Sequence, residues 1–329
     1  MDQKGYIMSG LTLLLIIPVF LLIAVFVDVV QNGSETQSLA IQSDVTFYTA
    51  KDIEGNIPVL TEKILQKTTN DVFETGNPLN DSRDYIKHNL QEELNQLSQK
   101  YQNSEHINVT CKIWSVNPTQ DPFKIEVNST IYVQKGNMAH NEHISQNISI
   151  MDSNYPVQDP LPFIKCKNYG KMTNTSTKIC YGSSLVSLLK AKHLKNANVY
   201  ENATSPLFIK KCPYDPYIGH GNSHYFVVLK NCIDNGYFHE SSDGSCFLCR
   251  LEGKVTCPHY GFETFIVPSN PSNSTLMFAP CSSEHVIFDD CPYSGKGIVY
   301  YSDKSNYLKL FLDNGHRQKY GLPKYWGIK

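Results

Sequence analysis

Charge is scarce in this 329-residue chain, at 18% of residues, and neither sign prevails, with 29 Lys and Arg against 31 Asp and Glu. No basic face of the kind that a phosphate backbone selects is available, and nucleic acid is not expected as a partner. No internal repeat appears, which argues against a repeat array. No cysteine precedes Cys111. No small-x-small site follows the first apolar stretch (VVQNGSETQS), which argues against a cleaved secretory signal.

What is present begins with Ile7 to Val30, an apolar run with one charge, Asp28, near its outer end. At 1.5 Å per residue it crosses a hydrocarbon layer of roughly 30 Å with some tilt. Lys4 precedes it and Asp28 and Glu35 follow, so the positive-inside bias places residues 1–6 in the cytoplasm and the bulk of the chain outside. Two further features fit an external location. Sequons stand at Asn32, Asn80, Asn108, Asn128, Asn147, Asn174, Asn202 and Asn273, all beyond the apolar run, and make a glycoprotein the expectation. Ten cysteines (Cys111, Cys166, Cys180, Cys212, Cys232, Cys246, Cys249, Cys257, Cys281 and Cys291) suggest a disulfide framework outside the cell, of undetermined connectivity.

Beyond the apolar run, Ile41, Val45 and Tyr48 keep helical spacing, so the helix is expected to continue outward until Gly55-Asn56 and Pro58 interrupt it. A second helix is expected from the stripe Ile86, Leu90, Leu94, Leu97 and Tyr101, with Asp81-Ser82 at its N-cap. The period then changes to two, in Ile107 to Ile113, Phe123 to Val133 and Ile144 to Ile150, which predicts three antiparallel strands with one covered face. Asn108, Asn128 and Asn147 fall on the polar phase. The Pro-, Asp- and Asn-dense stretch at 152–162 marks a boundary. Beyond it, a loop-rich region is expected to hold a short helix near Ser183 to Leu194 and strands near Tyr225 to Leu229 and Phe262 to Val267. The fold class expected is therefore α+β: a single transmembrane helix (7–30), an α+β ectodomain (31–155) with a helix over its sheet, and a cysteine-rich, disulfide-linked loop and β domain (156–329).

Lys4-Gly5 directly before an apolar helix that runs on into an ectodomain helix and then a sheet resembles type IV pilin-like proteins, most of all the minor, TadE/TadG-like kind. The resemblance implies cleavage by a prepilin peptidase after Gly5, leaving Tyr6 as the mature terminus, and pilin-like subunits or cell-envelope components as partners. Where major pilins carry a glutamate five residues after the cleaved glycine, this chain has Gly10, which points to a minor subunit or a plain anchor. The segments KKCPYDPY (210–217) and CFLCRLEGKVTCPHYGFETFI (246–266) are similar to surface proteins of methanogens, which implies an archaeal surface location and no mechanism.

Two constellations carry chemistry. Cys246 and Cys249 form a C-x-x-C, followed by Cys257 and His259 and preceded by His220, His224 and His239. This set suits either disulfides or a structural zinc, whose tetrahedral sites take thiolate and imidazole. The absence of a second well-spaced C-x-x-C and the even cysteine total favour bridges, with no metal or other cofactor. In the other, Cys180 stands just before a predicted helix start, with His224 and then Asp234 or Asn235 downstream. That order resembles papain-like and double-glycine cysteine peptidases, and implies Cys180 as nucleophile, His224 as base and Asp234 as orienting group. The interval between cysteine and histidine is short and no glutamine precedes Cys180, so the leading expectation is a surface protein without enzymatic activity.

Overall fold

The computed structural model describes residues 3–151, 154–194, 197–214, 220, 225–269, 281–290 and 314–321. It is a mixed helix and sheet protein. The first helix, α1 (Gln3–Thr75), runs 73 residues without a break, about 110 Å at the usual rise. It is long and apolar enough to cross a membrane, and from Leu13 to Val30 its large apolar side chains are all exposed.

The interruption expected at Gly55 and Pro58 does not occur. Proline inside a helix costs about 3 kcal/mol, and burial of a long stripe offsets it. Ala50, Ile53, Ile57, Thr61, Ile64, Thr68 and Val72 recur at three- and four-residue steps and are all buried. Threonines conceal this stripe from a reading of apolar periodicity. The Thr61 hydroxyl is satisfied within the helix, where Oγ1 donates to the Ile57 carbonyl at 2.7 Å.

Helix α2 (Ser82–Glu105) begins where expected. Asp81 Oδ1 accepts from the backbone N–H of Arg83 and of Asp84, both at 3.0 Å, and so caps it. Ile86, Leu90 and Leu94 are buried. Strands β1 (Asn108–Pro118), β2 (Lys124–Lys135) and β3 (Met138–Ser149) form one sheet in the order β1-β2-β3, antiparallel as their short connections require. Side chains alternate between buried and outward phases along β1 and β2, in the register the sequence predicts. Asn108 and Asn147 are exposed, whereas Asn128 is half-buried and its amide donates to Glu126 Oε2 at 2.9 Å and Ser115 Oγ at 3.2 Å. Asn32, Asn80, Asn174 and Asn202 are exposed, and Asn273 lies outside the described residues.

The remainder consists of short elements: α3 (Leu161–Cys166), β4 (Thr173–Asn174), β5 (Lys178–Cys180), α4 (Ser184–Ala191), β6 (Thr204–Pro206), α5 (Tyr225–Asn235), β7 (His239–Ser241), α6 (Phe247–Leu251), β8 (Gly261–Glu263), β9 (Phe265–Ile266), β10 (Ser282–Ser283) and α7 (Asn314–Lys319). The strand expected near Tyr225 to Leu229 is instead the start of α5, because a short apolar run does not by itself distinguish a buried strand from a helix. A core of Leu161, Ile179, Tyr181, Leu185, Leu189, Tyr200 and Ile266 packs these elements. Strands β4, β5 and β6 form one small antiparallel sheet, and β7 pairs with β8.

The described chain falls into two compact units. One comprises residues 1–55, 94–112 and 130–143, and the other residues 56–93, 113–129 and 144–329. In the first, Lys51 pairs with Glu54 at 2.7 Å and with Glu142 at 3.1 Å. The second holds nine of the ten cysteines and eight of the eleven histidines.

Candidate metal centres in the second unit

Cys246 is the N-cap of α6, and Cys249 lies one turn on. The helix ends in a Schellman arrangement: Gly253 N–H donates to the Arg250 carbonyl at 2.9 Å and Lys254 N–H to the Cys249 carbonyl at 3.0 Å. Gly253 has φ +72°, the left-handed conformation that this stop requires. The chain then returns through Cys257 and His259 to β8, and Cys246 N–H points at Cys257 Sγ at 3.3 Å. Gly261 makes the return possible, since a Cβ there would lie 2.4 Å from the Ser245 carbonyl carbon.

One ligand atom from each of Cys246, Cys249, Cys257 and His259 falls within 4.8 Å of the others. His259 Nδ1 lies 3.7 Å from Cys246 Sγ and 3.6 Å from Cys249 Sγ. Hydrogen bonds from Cys246 and then Cys249 hold the Cys257 thiol well below its ordinary range, while Cys246 and then Cys257 push Cys249 well above it. A metal ion coordinated by such thiols deprotonates them outright. Arg83 Nη2 sits 3.1 Å from His259 Nε2. A guanidinium only donates, so a metal at Nδ1, which puts the imidazole proton on Nε2, requires the half-buried Arg83 side chain to turn aside.

A second cluster was not recognised in the sequence. Cys212, His220, Cys232 and His239 also bring their ligand atoms within 4.8 Å, and all four are buried. Cys212 follows a bridge between Lys211 and Phe238, Cys232 lies on α5 and His239 on β7. Cys212 Sγ is 3.3 Å from Cys232 Sγ and 3.8 Å from His220 Nε2, which is 3.3 Å from Cys232 Sγ. The Cys232 thiol pushes Cys212 down to about 3 despite its burial. Burial lowers His239.

A third group, Glu263, His285 and His316, has a different character. Glu263 Oε1 accepts from Tyr320 at 2.5 Å and pairs with Lys319 at 3.1 Å, while Oε2 accepts from Ser241 at 2.9 Å and lies 3.1 Å from His316 Nε2. Burial alone would raise this carboxyl, but Lys319, then His316 and His285, hold it well below its usual range. The Lys319 ammonium already supplies the positive charge, so the carboxylate is satisfied without an ion. Beside it, Arg250 is wholly buried, gripping Asp159 through Nε (3.0 Å) and Nη2 (2.6 Å) and Glu284 through Nη1 (2.6 Å). Its guanidinium carbon lies 4.8 Å from the centre of the Phe262 ring.

Of the peptidase constellation, Cys180 and Asp234 are among the described residues. Cys180 ends β5, four residues before α4, and is not at a helix start. Asp234 is on α5, ion-paired with Lys230. It lines a cavity of about 260 Å³ with Lys178 and Ser205 among the walls and Cys180 outside them. His224 lies outside the described residues.

None of the nine described cysteines is in a disulfide, and Cys291 lies outside the described residues. Burial pushes the thiols of Cys111 and Cys166 up to about 12, which leaves them protonated and unreactive. No family model, curated protein or solved structure matches this chain.

Proposed function

We propose that this chain is a membrane-anchored surface protein without enzymatic activity, displaying its second unit outside the cell as a minor pilin-like or envelope-binding component. The observation that carries the reading is the character of α1. One uninterrupted helix exposes an apolar surface from Leu13 to Val30, with Asp28 as its one charge, and then, from Ala50 to Val72, carries a buried stripe. Apolar surface on that scale is not left to water in a soluble monomer. A single helix that is lipid-facing at one end and packed at the other joins anchor and ectodomain, as a surface-displayed subunit needs. The resemblance of Lys4-Gly5 and the following helix to prepilins supplies the pilin-like part, with Tyr6 as the processed terminus and Gly10 suiting a minor position.

The reading includes one structural zinc, held by Cys246, Cys249, Cys257 and His259. Sulfur-to-nitrogen spacings of 3.6 and 3.7 Å match the roughly 3.5 Å expected across a zinc tetrahedron with Zn–S of about 2.3 Å and Zn–N of about 2.0–2.1 Å. Zinc here does the work that disulfides were expected to do.

Two measurements on native membranes test the reading. Protease added to intact cells is expected to remove the second unit, and an N-terminal peptide beginning at Tyr6 is expected in mass spectra. Protection of the second unit, under conditions that cut a known surface protein, would overturn the display. An intact Met1 terminus in cells with active prepilin peptidase would overturn the pilin-like part and leave the anchor.

A further inference from the structure

We propose that Cys212, His220, Cys232 and His239 bind a second zinc ion, so that the second unit is a two-zinc module. The inference goes beyond the single zinc of the preceding reading and stands on separate residues.

Geometry comes first. In a tetrahedral site, sulfurs stand about 3.8 Å apart and sulfur about 3.5 Å from nitrogen. The cluster has 3.3 Å between its sulfurs and 3.3 and 3.8 Å between sulfur and His220 Nε2. Two of these spacings fall short of the tetrahedral values and one exceeds them, each by about 0.2–0.5 Å, so small side-chain shifts bring the four ligands onto one ion. A disulfide would instead need the sulfurs at about 2.05 Å, and would leave two buried imidazoles with the bridge as their neighbour.

Charge supports the same assignment. Zn²⁺ with two thiolates and two neutral imidazoles is a neutral complex, the only kind that an interior accepts cheaply. Its four ligands are each at most 1% exposed. The Cys246 centre, with three thiolates, would carry a net charge of about −1 by the same count. That centre is the half-buried one, with Cys257 and His259 partly exposed, so that water reaches its excess negative charge. Each predicted complex therefore sits in the surroundings its charge requires. Tyr214 N–H points at Cys212 Sγ at 3.4 Å, an outer hydrogen bond that a zinc thiolate accepts. Thiolate and imidazole in a tetrahedron select zinc over the harder divalent ions.

The two centres also share a support. His239 opens β7, and β8, with which it pairs, begins two residues after His259, with Ser241 opposite Gly261 and His239 opposite Glu263. An ion in either centre thus fixes one end of the same ladder.

The test uses the full chain in detergent. Elemental analysis is expected to find two zinc ions per chain, falling to one in Cys232→Ser and to one in Cys257→Ser. Because either variant risks misfolding, alkylation of the unaltered protein without reductant is the second arm. Cys212 and Cys232 are expected to resist labelling until a chelator is added, and then to label fully. A Cys212–Cys232 peptide that needs reductant before it labels overturns the inference, as does labelling of both before chelation. A single zinc lost in Cys257→Ser and kept in Cys232→Ser overturns it while leaving the Cys246 centre standing. A single zinc with the opposite pattern supports it and overturns the Cys246 centre.

Discussion

Arg250 is the residue on which the second unit most depends. Its charge is wholly buried and is balanced by two carboxylates that are buried with it. Removing one partner of such a network typically costs 3–5 kcal/mol, because the remaining charges are stranded in the interior. Arg250→Leu is therefore expected to lower unfolding stability by about that amount, read from the urea midpoint; a change below about 1 kcal/mol would show the network to be dispensable. Arg83→Gln has the opposite sign. An amide oxygen accepts from His259 Nε2–H where the guanidinium cannot, so zinc at the Cys246 centre is expected to bind up to about 10-fold more tightly, measured by competition with a chelator. Burial pushes His285 down to about 4 from an ordinary 6.5, outweighing the pull of Glu263. Between those values the unfolded chain binds a proton that the folded one refuses, so this residue's contribution is level above pH 6.5 and declines as pH falls toward 4. The stability difference between the unaltered protein and His285→Gln is expected to shift by about 2 kcal/mol from pH 7 to pH 5, against the unaltered protein. Acid release of zinc affects both proteins and cancels in the comparison.

At the scale of elements, α1 holds the most direct prediction. Gly55 is exposed in the middle of the helix, and a Cβ built there meets nothing within 4 Å. Gly55→Ala is expected to stabilise the protein by about 0.5–1 kcal/mol, seen as a rise in thermal midpoint. No rise would mean that the helix bends at this point in solution. The start of α2 and the register of β1 and β2 were legible in the sequence, because Asp81 and a strict alternation of two are local signals. The continuation of α1 past Pro58 was not. Its buried stripe mixes Thr61 and Thr68 with isoleucine, and only packing turns threonine into a core residue. The helix at α5 was missed for a related reason: YFVVL is too short for its period to be read.

For the whole molecule, metal removal separates the proposed architecture from a disulfide framework. A chelator without reductant is expected to abolish protease resistance of the second unit, and added zinc is expected to restore it, since binding free energy at structural zinc sites is folding free energy. In a disulfide framework, reductant would do this and chelator would not. The expectation assumes no particular compartment: a thiolate bound to zinc and a protonated thiol in a core are both poorly nucleophilic.

The sequence by itself determined the membrane-length apolar helix, the polar outward phase of the sheet strands and the candidate set Cys246, Cys249, Cys257 and His259, because each is written in neighbouring residues. Only the tertiary structure decided that Cys212, His220, Cys232 and His239 converge. Their intervals match no compact ligand spacing, since Cys232 on α5, His239 on β7 and two residues outside both elements supply the ligands. It also decided that Asp159, Arg250 and Glu284 form one buried network across more than a hundred residues of chain. A ligand set drawn from separate elements leaves no periodicity and no motif behind; it exists only once the chain has folded.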